Sequence, residues 1–214
     1  MKYCIFMPTT FIIDKNSQLF KSNQLEKTEK RLKQYKQGID KLVELNKNYK
    51  LDIYIADNGY NFDDKIKIPE CIKVIKNNPN KLGQFNKGSG IIEIWNNNIE
   101  ILKQYDYIIH FEPRQLLIDN SFIDNFMKNP RSIFTYNKNP NAKKHFNTGL
   151  FTCKSGDLIN FITVVTAEIL FQNHYSLEYI LYNFYNNYKL KYDVLDKMSL
   201  IWYDVCQKHL HIEH

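Results

Sequence analysis

Near the middle of the chain a carboxylate and a guanidinium stand two residues apart at the end of an apolar run. Asp106 to Arg114 reads D-Y-I-I-H-F-E-P-R. Residues two apart on an extended chain point to the same side, so Glu112 and Arg114 face one space. The carboxylate can bind a cation or a sugar hydroxyl, and the guanidinium can take a phosphate in a planar fork. If the run is a buried strand of an α/β sheet, the pair sits at its carboxyl end, where such sheets bind ligands. This chemistry points to an enzyme acting on a nucleotide-linked substrate.

Three further polar turns adjoin strand-like runs: Pro8-Thr9-Thr10, Asp57-Asn58-Gly59 and Asn147-Thr148-Gly149. Each alone reads as a turn, since Asn and Gly tolerate positive φ; their order and spacing together carry the signal. The elements that must position them follow from periodicity. Strands are expected over 3–7, 51–56, 72–75, 106–111, 132–136 and 148–153. Asn23 with Glu26 forms a capping box for a helix on which Leu25, Leu32, Tyr35, Ile39, Leu42 and Val43 recur. Further helices are expected over 90–103, 120–128, from Ser155 or Asp157 to Phe171, over 177–188 and over 196–207. Strand and helix alternate through the first half. That pattern predicts a mostly parallel α/β sheet with helices on both faces, followed by a helical C-terminal part. With no linker or repeat, residues 1–214 read as one domain, with a nucleotide-binding part of about 1–115 and an acceptor-side part of about 116–214.

Composition narrows the classes. An apolar share of 43% over 214 residues is enough for a core. The net charge of +6 is modest, and no basic run carries a nucleic-acid motif, which argues against nucleic acid. Lys27, Lys30, Arg31, Lys33 and Lys36 alternate with Glu26 and Glu29, the pattern of a solvated helix face. Attraction to an anionic membrane surface, hence peripheral membrane contact, is the second reading of that face. Cys4, Cys71, Cys153 and Cys206 lack C-x-x-C spacing, which fits free thiols in a reducing compartment. The N-terminus reads as a first strand and not a signal peptide, and no apolar run approaches the ~20 residues of a membrane span. A soluble cytoplasmic protein is expected.

The ordered turns resemble those of GT-A glycosyltransferases, in particular the inverting family 2-like group. Met7-Pro8-Thr9-Thr10 looks like that family's first strand end, and Asp57-Asn58-Gly59 matches its second. Asn86-Lys87-Gly88 is similar to the segment that opens a helix beside the nucleotide. D-Y-I-I-H-F-E-P-R occupies the place of the strand ending in Asp-x-Asp, and Asn147-Thr148-Gly149 that of the loop approaching donor sugar and acceptor. The resemblance covers about residues 3–155. It implies a Rossmann-like GT-A fold, a nucleotide-sugar donor and a glycan or small-molecule acceptor. Asp57 would meet base or ribose, with Thr9, Asn58, Asn86 and Lys87 also on the nucleotide and donor side. Asn147 and Thr148 would lie at the sugar. Glu178 is the candidate general base, with Glu168 second.

The departure from the family is Arg114 in place of the second Asp. A hard divalent cation wants several oxygen ligands, and a guanidinium repels it. Arg114 can instead neutralise the departing diphosphate, so metal independence is favoured over Mn2+ or Mg2+ held by Glu112. His110 reads as a hydrogen-bonded core residue. His145, with Lys143 and Lys144 beside it, reads as a contact to donor phosphate or acceptor. Trp202 and Tyr203 are the aromatics expected to stack on a sugar. His209, His211 and His214 lie at the frayed end and read as no metal site.

Two competing functions remain. A sugar-nucleotide nucleotidyltransferase would carry a Gly- and Arg/Lys-rich loop after its first strand, whereas Pro8 to Ile13 holds no glycine. A non-catalytic GT-A-like binding module is kept open by the altered Asp-x-Asp.

Overall fold

The computed structural model describes residues 1–14, 28–59, 62, 65–136, 145–203 and 210–213, of which 202, 203 and 210–213 are described by their backbone. The expected capping box at Asn23 and Glu26 lies outside the described residues, as do Lys27, Lys143, Lys144, Cys206, His209 and His214.

In chain order the elements are β1 (Tyr3–Thr9), α1 (Thr28–Asn46), β2 (Asp52–Asp57), β3 (Ile72–Lys76) and a 3-10 turn at Leu82–Gln84. Next come α2 (Lys87–Asn97), α3 (Ile99–Leu102), β4 (Tyr107–Phe111), β5 (Leu116–Leu117), α4 (Ser121–Lys128) and β6 (Ile133–Phe134). The chain continues through β7 (Leu150–Lys154), α5 (Ser155–Val164), α6 (Ala167–Gln172) and α7 (Leu177–Asn187). It ends in β8 (Asp193–Val194), β9 (Leu200–Tyr203) and β10 (Leu210–Glu213).

The main sheet has the order β3-β2-β1-β4-β7-β6-β8. β1 to β4 are mutually parallel where they pair, while β7 runs antiparallel to both β4 and β6. The apolar, non-alternating β1 and β4 are buried on both faces, as helix-covered parallel strands must be. Along β1, Cys4 and Phe6 enter one core while Ile5 and Met7 enter the other. The first core holds Trp95, Phe161 and Tyr185 from α2, α5 and α7; the second holds Tyr35 and Ile39 from α1 with Phe122 and Phe126 from α4. The expected sheet with helices on both faces is therefore present.

β2 and β3 are added on one side of β1 and β4 on the other, so β1 is the point where strand order reverses. Crevices open beyond the carboxyl ends of strands at such a point. The β1–β4 ladder runs only from Tyr3 to Phe6. Pro8 lies beyond it, where its missing N–H breaks no bond to β4, and the two strand tips separate there.

Three expectations are corrected. The helix expected over 90–103 starts earlier, at Lys87, and breaks at Asn98, whose side chain donates to the Ile94 carbonyl at 2.7 Å instead of leaving the helix regular. The helix expected to reach Phe171 is two helices: Val165 is extended, and Thr166 caps the second by accepting from the Ile169 N–H. Neither Ser155 nor Asp157 is the cap of the first, which begins after Lys154. Within the helix expected over 196–207, Leu200–Tyr203 is instead a strand, pairing with β5 and β10 in a second sheet of order β10-β9-β5. β-Branched and aromatic residues favour a strand once a partner is present, and the partner β5 begins just past Arg114 and Gln115.

Candidate active site

An open cavity lies beyond the tips of β1, β2 and β4. Its walls come from the end of β1 and the loop after it (Thr9, Thr10, Ile12), the turn after β2 (Asn58, Gly59), the start of α2 (Lys87, Gly90, Ile91), α1 (Arg31, Tyr35) and the turn after β4 (Glu112, Arg114, Gln115). Of the residues expected from sequence, Thr9, Asn58, Lys87, Glu112 and Arg114 line it.

Asp57 does not line it. Its Oδ2 accepts from the Thr9 hydroxyl at 2.7 Å and the Phe11 N–H at 2.9 Å, and its Oδ1 accepts from the Gly59 N–H at 2.9 Å. Burial pushes its pKa up to about 6, although these donors pull it back. The carboxylate ties the loop after β1 to the turn after β2. Gly59 permits that closeness: a Cβ there would lie 2.6 Å from the Ile12 carbonyl oxygen. Asn58 faces the cavity instead, bonded to Asn80 and to the Gly90 carbonyl, while the Thr10 hydroxyl donates to its Oδ1 at 2.7 Å.

Asn86 is likewise structural. Its side chain caps α2 by accepting from the Ser89 N–H at 3.1 Å and donates to the Tyr175 carbonyl at 3.2 Å. Its neighbour Lys87, the first residue of α2, lines the cavity. A Cβ on Gly88 would meet Leu170 and Leu177 at 2.9 Å, so this glycine lets α2 start hard against α6 and α7.

The β4 tip meets 147–149 because β7 is antiparallel: Phe111 pairs with Leu150, and the Glu112 N–H donates to the Gly149 carbonyl at 2.8 Å. The Thr148 hydroxyl then donates to Glu178 at 3.2 Å. Glu178 is in the first turn of α7, which Ser176 caps by accepting from the Tyr179 N–H. Burial first, then the Glu178 carboxylate, push Glu112 up to about 7, against the pull of Lys87, Arg114 and Arg31. Glu112 therefore lines the cavity and also feels the Glu178 carboxylate, which itself does not line it. Asn147 is used locally, its side chain accepting from the Gly149 N–H at 2.9 Å. His145 is half-buried just before the bridge of Phe146 to Tyr136 and does not line the cavity. The side chains of Trp202 and Tyr203 lie outside the described residues.

Arg114 is fixed by Gln34 of α1, whose Oε1 accepts from Nε at 3.0 Å and Nη2 at 2.9 Å. Arg31, expected on a solvated face, is 5% exposed and turned into the cavity, donating to the Thr10 carbonyl at 3.0 Å. The apolar spacing of α1 held the clue: Arg31, Tyr35, Ile39 and Leu42 share the buried face. His110 is buried as expected but is stacked on Phe151 at 4.5 Å, with neither ring nitrogen hydrogen-bonded at good geometry, and burial lowers its pKa to about 3.

Among the described residues no three His, Cys, Asp or Glu side chains cluster. The described carboxylates lining the cavity are Asp14 and Glu112, with Arg31, Lys87 and Arg114 around them.

Solved structures share this architecture. A protein from Desulfovibrio desulfuricans G20 assigned as a nucleotide-diphospho-sugar transferase aligns with a TM-score of 0.57 at 9% identity, over 92% of this chain and 80% of its own. At this identity the likeness is one of fold. One from Bacillus anthracis assigned as a glucose-1-phosphate thymidylyltransferase also gives 0.57, at 12% identity over 92% and 87%. The CTP:phosphocholine cytidylyltransferase of Streptococcus pneumoniae gives 0.53 at 14% identity, over 97% and 96%. No protein-family profile matches the sequence, and no curated protein matches it closely enough to count. Within this fold, the cavity lies at the strand tips where the order reverses. Among the described residues no helix is long and apolar enough to cross a membrane.

Proposed function

We propose that the protein transfers a sugar from a nucleotide-diphosphate sugar to an acceptor hydroxyl, inverting the anomeric centre and needing no divalent cation. The observation that carries this reading is Glu112 and Arg114 together lining the cavity at the β4 tip, with the Glu178 carboxylate near enough to Glu112 to hold its proton on. In the proposed step the acceptor oxygen attacks the anomeric carbon while its proton passes to Glu178. The bond from that carbon to the diphosphate breaks, and Arg114 offsets the charge left on the leaving group. Glu112, poised between protonated and ionised near neutrality, hydrogen-bonds a donor sugar hydroxyl.

The test is donor hydrolysis and thermal shift against UDP-, GDP-, dTDP- and CMP-sugars, with and without EDTA. Stabilisation and slow hydrolysis that survive EDTA support the reading; loss of both on chelation overturns its metal independence. Binding without turnover across donors and acceptors favours a non-catalytic module.

Nucleotidyl transfer is the second reading, favoured by the thymidylyl- and cytidylyltransferases that share the fold. Against it, no glycine occurs before Gly38, so the loop after β1 lacks the usual triphosphate cradle. Release of pyrophosphate from a nucleoside triphosphate and a sugar 1-phosphate would decide for it.

A further inference from the structure

We propose a second ligand site at the opposite end of the sheet, where Lys2, Lys50 and Lys73 surround a cavity that takes a phosphate monoester. This cavity shares no lining residue with the one at the strand tips, and the proposal does not depend on the transferase reading.

The cavity, about 390 Å³, opens at the amino ends of β1, β2 and β3, which are neighbours in the sheet. Each of these ends contributes a lysine. Lys2 precedes β1, Lys50 lies in the turn that joins α1 to β2, and Lys73 is the second residue of β3. The parallel register sets Cys4 beside Asp52 and Tyr54 beside Lys73. Parallel pairing therefore gathers three lysines that are far apart in the chain around one opening.

The floor is fixed by a closed ring of hydrogen bonds. Tyr54 and Tyr105 are both buried, and their hydroxyls meet at 2.9 Å. Tyr105 donates to Asp52 Oδ2 at 2.7 Å. Lys73 donates to Asp52 Oδ1 at 2.7 Å and to the Tyr54 hydroxyl at 3.3 Å. The one hydroxyl proton of Tyr105 goes to Asp52, so Tyr54 is the donor between the two phenols.

Asp52 is the one carboxylate among the described residues lining this cavity, and the ring occupies both of its oxygens. The hydrogen bond from Lys73 and then that from Tyr105 hold its carboxyl below the usual range, with a weaker pull from Lys2. The next carboxylate, Asp106, accepts from the Lys2 backbone N–H at 2.6 Å and lies 4.0 Å from the N-terminal ammonium. Three lysine ammoniums thus line the cavity against one carboxylate, an excess of two positive charges. A phosphate monoester carries about −1.5 to −2 at neutral pH. Lysines act on phosphate as point charges on flexible stems, so three of them can converge on one such group. The volume falls within the roughly 300–1,000 Å³ of small-molecule sites, enough for the organic part of the ester as well. That group can belong to a soluble metabolite or to the headgroup of a lipid such as phosphatidic acid.

The test has two arms, both with the whole protein. One is calorimetric titration with glycerol 3-phosphate; the other is co-sedimentation with phosphatidylcholine vesicles with and without phosphatidic acid. Wild type binds in at least one arm, and the double variant Lys2→Gln/Lys50→Gln weakens that binding about 10-fold or more. Both lysines are exposed and stand outside the ring, so the double variant folds. Asp52→Asn, which removes the negative charge from the cavity, tightens binding, and Lys87→Gln at the other end of the sheet leaves it unchanged. Binding in the calorimetric arm supports a soluble ester, and binding confined to vesicles carrying phosphatidic acid supports a headgroup. No binding in either arm, or wild-type affinity in the double variant, overturns the site. Loss of binding in Lys87→Gln alone would assign the ligand to the strand-tip cavity and overturns it equally.

Discussion

Glu112 sits where opposite influences meet: burial and Glu178 hold its proton on, while Lys87, Arg114 and Arg31 draw it off. Its carboxyl is raised from the ordinary 4.5 to about 7. Between those values the folded protein keeps a proton that the unfolded chain has lost. The contribution to stability is thus complete below about 4.5 and lost as pH rises through about 7. Glu112→Gln removes this dependence. Urea unfolding at pH 5 and pH 8 should show the variant gaining on wild type at the higher pH; equal pH responses would mean that Glu112 titrates normally. Glu178, bonded to Thr148 and facing Glu112, carries the proposed base role. Glu178→Gln should lower kcat by about 10²- to 10⁴-fold while donor affinity, read by thermal shift, is kept. Unchanged turnover would remove it from the mechanism.

At the scale of elements, α1 is as much a part of the site as the strand tips. Isolated helix propensity favours Ala over Gly by about 1 kcal/mol, so Gly38→Ala should stabilise α1 taken alone. Here a Cβ would strike the backbone carbonyls of Pro113 and Gln115. Backbone cannot rotate away as a side chain can, so α1 or the turn after β4 must shift. Gly38→Ala is expected to destabilise by about 1–3 kcal/mol and to weaken nucleotide-sugar binding, because the same turn carries Glu112 and Arg114. A stabilised variant with full binding would show that the contact is loose. β5 and β9 act from the other side of that turn: the Ile118 N–H donates to the Ser199 carbonyl at 2.8 Å, and Leu117 pairs with Leu200.

For the molecule as a whole, the boundary near residue 115 between nucleotide and acceptor parts cuts through a continuous sheet. β4 precedes it and β7 follows it, yet they pair along their whole length from Tyr107–Lys154 to Phe111–Leu150. The first core likewise joins Trp95 of α2 to Phe151 and Phe161. A fragment ending at 115 would expose one edge of β4 and the face of Trp95. We expect one cooperative unfolding transition, with buried-tryptophan fluorescence and far-UV circular dichroism coinciding, and no folded fragment 1–115. Two separated transitions would show two units.

What the sequence determined by itself was the strand–helix alternation and the place of its polar turns. Apolar runs such as Tyr3 to Met7 and Asp106 to Phe111 have one low-energy home, a strand covered on both faces. Glu112, Arg114 and Asn58 follow at strand ends by simple continuity of chain, and Lys87 opens α2. The uses of Asp57 and Asn86 were not legible, because a carboxylate or amide at a turn serves ligand or backbone equally well until the neighbouring N–H groups are placed. Arg31 was misread for a related reason. Among lysines and glutamates its charge suggests solvent, and only the approach of α1 to the turn after β4, allowed by Gly38, puts it inside. The strand at Leu200–Tyr203 needed β5, a partner more than 80 residues earlier. Local periodicity sets which residues are apolar together; pairing across the chain decides which of them meet, and at this site that decision selects the chemistry.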